Sequence, residues 1–181
     1  QQGREVGYAI IAVGIIAVLF SFWKLFSLYT IGTAVRKQAN NEAADIANPL
    51  GRVLKVGKDN FDKDIDTLEL KLAEAIMAER PAIDSGIGFI KIISVIAPLA
   101  GLLGTVTGMI VTFQMITLYG TGDPKLMAGG ISQALVTTVL GLLVAIPTSL
   151  LHSFTQSSAR GIIGVLEEQS TGILAERAES K

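Results

Sequence analysis

The sequence contains no cysteine and a single histidine, His152. The missing thiols exclude a disulfide scaffold, a thiolate metal site and a cysteine nucleophile. One imidazole does not by itself make a His-based metal centre. Charge is scarce as well: 17% of residues are Asp, Glu, Lys or Arg, against 50% apolar, and the mean hydropathy is +0.52. The net charge of −1 comes without a basic face, which argues against nucleic acid as a partner. Between Ile92 and Gly122, and again between Gly129 and Leu151, there is no Asp, Glu, Lys or Arg at all. Enzyme motifs are missing too. Gly101-Leu102-Leu103-Gly104-Thr105 lacks the Lys-Ser/Thr of a phosphate loop, and neither a GxSxG elbow nor a His-Glu pair at metal spacing occurs. The expectation is a protein that is not an enzyme and needs no cofactor or metal.

What is present is apolar sequence gathered into long runs. A hydrocarbon core about 30 Å thick takes roughly 20 apolar residues in a helix, and three stretches meet that length. The first is Val6–Trp23, followed by Lys24 among Leu25, Phe26, Leu28 and Tyr29. It is too long for a signal-peptide core and has no small-residue cleavage site, so it reads as a real span with further sequence before Gln1. Lys24 is expected to snorkel to the headgroups, beside Trp23 and Tyr29 in the interfacial belt. Span two runs from near Gly86 to about Tyr119, with its uncharged part longer than a bilayer needs, and span three from about Gly130 to Leu151. The turn Gly120-Thr121-Gly122-Asp123-Pro124-Lys125 joins them.

The intervening segment has a different character. Phe61, Ile65, Leu68, Leu72 and Ile76 recur at helical spacing, which predicts an amphipathic helix ended by Pro81 within a folded, water-facing helical domain. The tail from His152 is amphipathic again and is expected to continue span three. The fold class is therefore an all-α membrane protein. Its three transmembrane helices are expected to have helices two and three extended into a cytoplasmic helical domain. The divisions are 1–31 (stub and first span), 32–88 (cytoplasmic helices), 89–119 (second span), 120–129 (periplasmic turn), 130–151 (third span) and 152–181 (cytoplasmic helix). Eight Lys/Arg lie between spans one and two, against Lys125 in the turn and Arg4 in the stub. By the positive-inside rule the N-terminus and turn lie outside, and the middle segment and C-terminus inside.

Two stripes mark spans two and three. Gly101, Gly104, Thr105, Gly108 and Thr112 share one face of the first. Gly130, Ala134, Thr137, Thr138, Gly141, Ala145 and Thr148 share one face of the second. Small residues let membrane helices approach closely, and threonine hydroxyls bond back to the helix backbone, so packing alone accounts for both stripes. The sharper reading is that the threonines line a shared cavity or seat a partner helix, and the two readings are compatible. A proton relay at membrane depth normally needs an ionisable carboxylate. These spans supply none, so any proton crossing here needs an acid from a partner, with threonines solvating its path. Gln133 cannot take up charge and is as readily an amide bonded to a neighbouring helix as a functional group. Lys91 and His152 read as interfacial residues without a catalytic role. Pro98 and Pro147 lie inside spans two and three, where each removes a backbone hydrogen bond and permits a kink.

The segments APLAGLLGTVTGMIVTF (97–113) and GISQALVTTVLGLLVAIP (130–147) closely resemble the second- and third-span signatures of the ExbB/TolQ/MotA proton-channel family. The GTGDP turn and the ERPAIDSG lead-in (79–86) are similar to its ExbB branch, and the long form with an extra periplasmic N-terminal region looks nearest. The resemblance covers about half the chain. It implies a homopentamer in the bacterial inner membrane whose spans two and three line a pore. Two single-span ExbD-like subunits would thread that pore, carrying the proton on an aspartate and passing energy through a TonB-like protein to outer-membrane transport. Thr105 and Thr138 match the family's pore-facing threonines, with Thr112, Thr137 and Gln133 expected along the same path. At the position of Gln133 well-known members carry glutamate, so a mechanism needing an acid there is in doubt for this chain. Membrane lipid is a further expected partner. A TolQ-type envelope-maintenance motor and a non-conducting membrane scaffold are the alternatives, and three spans argue against the four-span MotA type.

Overall fold

A computed structural model describes residues 2–40, 45–120 and 124–180. Among the described residues the regular structure is five α-helices: α1 (Gln2–Ala39), α2 (Pro49–Asp59), α3 (Ile65–Asp84), α4 (Ile87–Tyr119) and α5 (Pro124–Glu179). Residues 121–123 of the expected turn lie outside the described residues. Three helices are long and apolar enough to cross a membrane: Gly7–Ala39, Ile87–Leu118 and Met127–Glu179. Only 28%, 33% and 28% of their most apolar windows are buried within the chain. A water-soluble fold would have to cover the remaining apolar surface, whereas lipid tails or neighbouring membrane helices accept it without cost.

The chain divides into two compact units, Gln1–Phe22 with Gly88–Ser153, and Trp23–Ile87 with Phe154–Lys181. Helices α1 and α5 contribute to both, while α4 gives the second unit only Ile87. Gly86, at φ 78°, breaks the chain between α3 and α4 in a conformation that favours glycine.

In the first unit α1 presents Gly7, Ile10, Gly14, Ala17 and Ser21 as one buried face. A Cβ on Gly7 would stand 3.4 Å from Leu140 Cδ1, and one on Gly14 would collide with Val144. Small residues on α1 thus let α5 approach. The rings of Phe20 on α1 and Phe89 on α4 meet edge to face at 5.5 Å.

The second unit has an ordinary apolar core. Leu28 and Val35 of α1, Leu50 and Val53 of α2, Leu68, Leu72, Ile76 and Ile83 of α3, and Ile162, Ile163 and Leu166 of α5 form it. Its α2 is not apparent in the apolar periodicity, although Asn48-Pro49 is a start signal, with a capping side chain followed by proline at the first helical position. Asn48 Oδ1 accepts from Gly51 N at 2.8 Å, and Asn48 Nδ2 donates to Gln38 Oε1 at 3.2 Å. Asn48→Ala therefore removes a cap and a buried tie at once. The expected loss is about 1–2 kcal/mol, read as a lower thermal midpoint by circular dichroism in detergent.

Three expectations are corrected in this unit. Phe61 is not part of the amphipathic helix, because Asp64 caps α3 by accepting from Thr67 N at 2.9 Å. Phe61 lies in the preceding turn, under the Arg177 guanidinium at 5.8 Å. Pro81 does not end α3, which continues to Asp84. Pro81 has no N–H to offer the Met77 carbonyl, and both residues lie on the exposed side of the helix, where the missing bond is tolerated. Lys24, finally, does not snorkel outward. It is 6% exposed, and its Nζ donates to the Ala82 carbonyl at 3.5 Å, in the last turn of α3. The negative end of a helix dipole offers the ammonium a partner there. On the outer side of α3, Arg52 makes a paired contact with Glu79, Nε and Nη2 each 2.6 Å from a carboxylate oxygen. Hydrogen bonding to Glu79 holds the Arg52 pKa above its already high ordinary value.

Candidate functional site: the glycine and threonine seam of α4 and α5

The two small-residue stripes face each other. A Cβ on Gly101 would stand 2.9 Å from the Thr137 carbonyl oxygen and 3.1 Å from Thr138 Cα. On Gly141 it would stand 2.6 Å from the Ala97 carbonyl oxygen, and on Gly108 2.7 Å from Ala134 Cβ. At Gly101 and Gly141 the added Cβ would meet helix backbone, and at Gly108 the Ala134 methyl, approaches that glycine permits.

The seam's hydroxyls fall into two groups. Thr137 is 2% exposed and Thr112 7%. Thr137 donates to the carbonyl of Ala134 at 2.6 Å, with that of Gly101 on the facing helix 3.3 Å away, and Thr112 donates to Gly108 at 2.9 Å. Both are satisfied by backbone and serve the packing. Thr105 and Thr138 are half-buried, at the seam's rim. Their hydroxyl oxygens are 3.0 Å apart. Thr105 reaches its own Leu102 carbonyl at 2.7 Å, and Thr138 reaches the Gly101 carbonyl at 3.2 Å. Each hydroxyl has one proton and two lone pairs, so the pair can pass a hydrogen bond between its members and still accept another from water or a partner. It cannot store a charge.

Of the residues singled out in the sequence, Thr105, Thr137 and Thr138 come together around the Gly101 carbonyl. Thr112 lies further along the seam, where a Cβ on Gly130 would strike its hydroxyl. Gln133 does not join them. It lines a shallow cleft of ≈ 140 Å³ between α1 and α5, with Gly7, Tyr8, Ile11, Val136, Thr137 and Leu140. Helices α4 and α5 run unbroken through Pro98 and Pro147. Sequence reasoning passed over the small face of α1, whose signal was the spacing Gly7, Gly14, Ala17 and Ser21. Among the described residues no group of His, Cys, Asp and Glu is placed to hold a metal ion.

Comparison with known proteins identifies the family. Residues 45–168 match the model of the MotA/TolQ/ExbB proton channel family. The chain is 30% identical over 174 residues to a biopolymer transport protein ExbB homolog of Methanothermobacter thermautotrophicus, covering 85% of this chain and 60% of that protein. It is 28% identical over 184 residues to an ExbB-like biopolymer transport protein of Synechocystis, covering 91% and 84% respectively. To biopolymer transport protein exbB1 of Vibrio cholerae it is 36% identical over 100 residues, 54% of this chain and 42% of the other. The family match takes in all of α2, α3 and α4 and the part of α5 that carries the seam, and on that ground the chain belongs to the MotA/TolQ/ExbB proton channel family.

Proposed function

We propose that this chain is the multi-helix subunit of an ExbB–ExbD-type motor in the bacterial inner membrane, driven by the proton gradient and energising TonB-dependent transport across the outer membrane. The observation that carries the reading is the Thr105–Thr138 hydroxyl pair, at the rim of a seam with no ionisable side chain. Hydroxyls can solvate a moving proton, but a carboxylate must carry it. A single-span, aspartate-bearing partner of the ExbD type supplies that carboxylate. Copies of this chain, five by the family's pattern, form a ring with the Thr105–Thr138 rims facing the partner helices. The basic segment between α1 and α4 and the end of α5 lie in the cytoplasm, and the N-terminus in the periplasm. The chemistry is transport, with no covalent step.

Native mass spectrometry of the detergent-extracted chain, alone and co-expressed with such a partner, tests the reading. The expected species is a homopentamer that retains partner copies. A monomer or dimer that ignores the partner would overturn the motor assignment and return the seam to simple packing.

A further inference from the structure

Within the second unit, α1 and α5 leave a groove between them of ≈ 120 Å³. One wall carries Tyr29, Thr33 and Arg36, the other Ser158, Gly161 and Val165. Glycines open it. A Cβ on Gly161 would meet nothing within 4 Å, and one on Gly32 would only touch Ile162 at 3.7 Å. Among the described residues no carboxylate lies within ion-pair distance of Arg36, whereas Arg52 and Arg80 each have one. Among these residues Arg160 and Arg177 have no ion pair either, but Arg36 alone of the three lines this groove, where its guanidinium can pair with an anion brought from elsewhere.

The side chains on either side of the groove are graded. Along α1, Phe26, Tyr29, Thr33 and Arg36 follow at i, i+3, i+7 and i+10, one helix face running from aromatic to hydroxyl to cation. Along α5, Phe154, Ser158 and Gly161 follow at i, i+4 and i+7. Phe26, Tyr29 and Phe154 are all exposed. That order reproduces a section through one leaflet of a membrane, from acyl region through interfacial aromatics to phosphate. The groove itself is about four water volumes in size. It takes a phosphate and not an acyl chain, which would lie along Phe26 and Phe154.

We infer that this groove binds an anionic phospholipid of the cytoplasmic leaflet, its phosphate held by the Arg36 guanidinium with the Tyr29 and Ser158 hydroxyls. The site is separate from the proton path, and the inference rests on the membrane placement proposed above.

The test is native mass spectrometry of the full chain in detergent with equal dioleoyl-phosphatidylglycerol and dioleoyl-phosphatidylcholine. Wild type should retain the anionic lipid about five-fold over the zwitterionic one, the ratio corresponding to about 1 kcal/mol for one basic residue near an anionic headgroup. Arg36→Gln should bring the ratio to parity, Arg36→Lys should restore part of it, and Gly161→Leu should remove retention of both lipids. Arg160→Gln is the control. Arg160 is exposed and outside the groove, so its loss should leave the ratio unchanged. Parity in wild type, or equal loss in Arg36→Gln and Arg160→Gln, would sink the inference. So would displacement of the lipid by excess inorganic phosphate, which would mark a free-anion site. A photoreactive phenylalanine at Ser158 should label lipid in membranes; labelling of a second polypeptide would show a covered subunit interface instead. Lipid retention in detergent does not depend on proton conduction or ring size, so its failure and failure of the motor assignment are read separately.

Discussion

Gly101→Leu is expected to separate α4 from α5 and to lower the thermal midpoint of the detergent-solubilised chain by about 6–12 °C. The three atoms nearest an added Cβ are all backbone of α5, at 2.9 to 3.3 Å. A flexible side chain could swing away from the new group; a helix backbone cannot, so the whole helix must move. Overpacking costs about 1–3 kcal/mol in well-packed interiors, and obstacles of this kind put the change at the upper end. A loss of about 3 kcal/mol translates to that midpoint shift for a chain of this length. The displacement also breaks the approach of Thr137 and Thr138 to the Gly101 carbonyl. Gly129→Leu provides the contrast, since a Cβ there meets nothing within 4 Å. It should stay within about 0.5 kcal/mol of wild type. Equal midpoints for the two variants would mean that the seam is not the close contact described.

The second large effect divides the threonines by function. With the chain and its ExbD-like partner in vesicles under an imposed pH gradient, Thr105→Val and Thr138→Val should each cut proton flux at least about tenfold, a barrier change of about 1.4 kcal/mol. Assembly should be unchanged, because valine keeps the shape and the rim contact tolerates loss of a hydroxyl. Thr137→Val should do the reverse. Its hydroxyl is buried against the Ala134 and Gly101 carbonyls, and removing it costs about 1 kcal/mol of stability with flux per assembled complex preserved. A scaffold that does not conduct would show no difference between the rim and buried substitutions in any transport assay. Loss of flux in Thr137→Val equal to that in Thr138→Val would put the buried hydroxyl on the path.

The three long helices could be read from the sequence because the signal is coarse. Uncharged apolar runs of this length have few other homes, and their facing stripes follow from helical periodicity alone. Finer features depended on contacts that no single helix announces. The α2 helix is short and carries three of its eleven residues as lysine or arginine, so its apolar positions did not form a visible period. What fixes it is Asn48, tied both to Gly51 and to Gln38 of another helix. Lys24 looked like a headgroup anchor because its neighbours in sequence are aromatic; its partner, the Ala82 carbonyl, is 58 residues away. Within the seam, helical periodicity alone did not separate the four threonines, and only the resemblance set Thr105 and Thr138 apart. The rotation of each helix against the other leaves Thr105 and Thr138 at the rim and turns Thr112 and Thr137 inward. Gln133, one turn before Thr137 on α5, falls toward α1 for the same reason.

The absence of any titrating group along the seam also bears on how a motor could cycle. A carboxylate built into this wall would meet two different pH values as the proton entered and left. Its protonation would then change within the cycle, and each unit of difference in its pKa between two packed states would tie that change to packing by about 1.4 kcal/mol. Glycine and threonine have no such response. Such a wall would keep the same strength whichever side of the gradient a carried proton is exchanged with, and under the function proposed here the acid–base work would fall on the partner's carboxylate while the seam stays electrically silent.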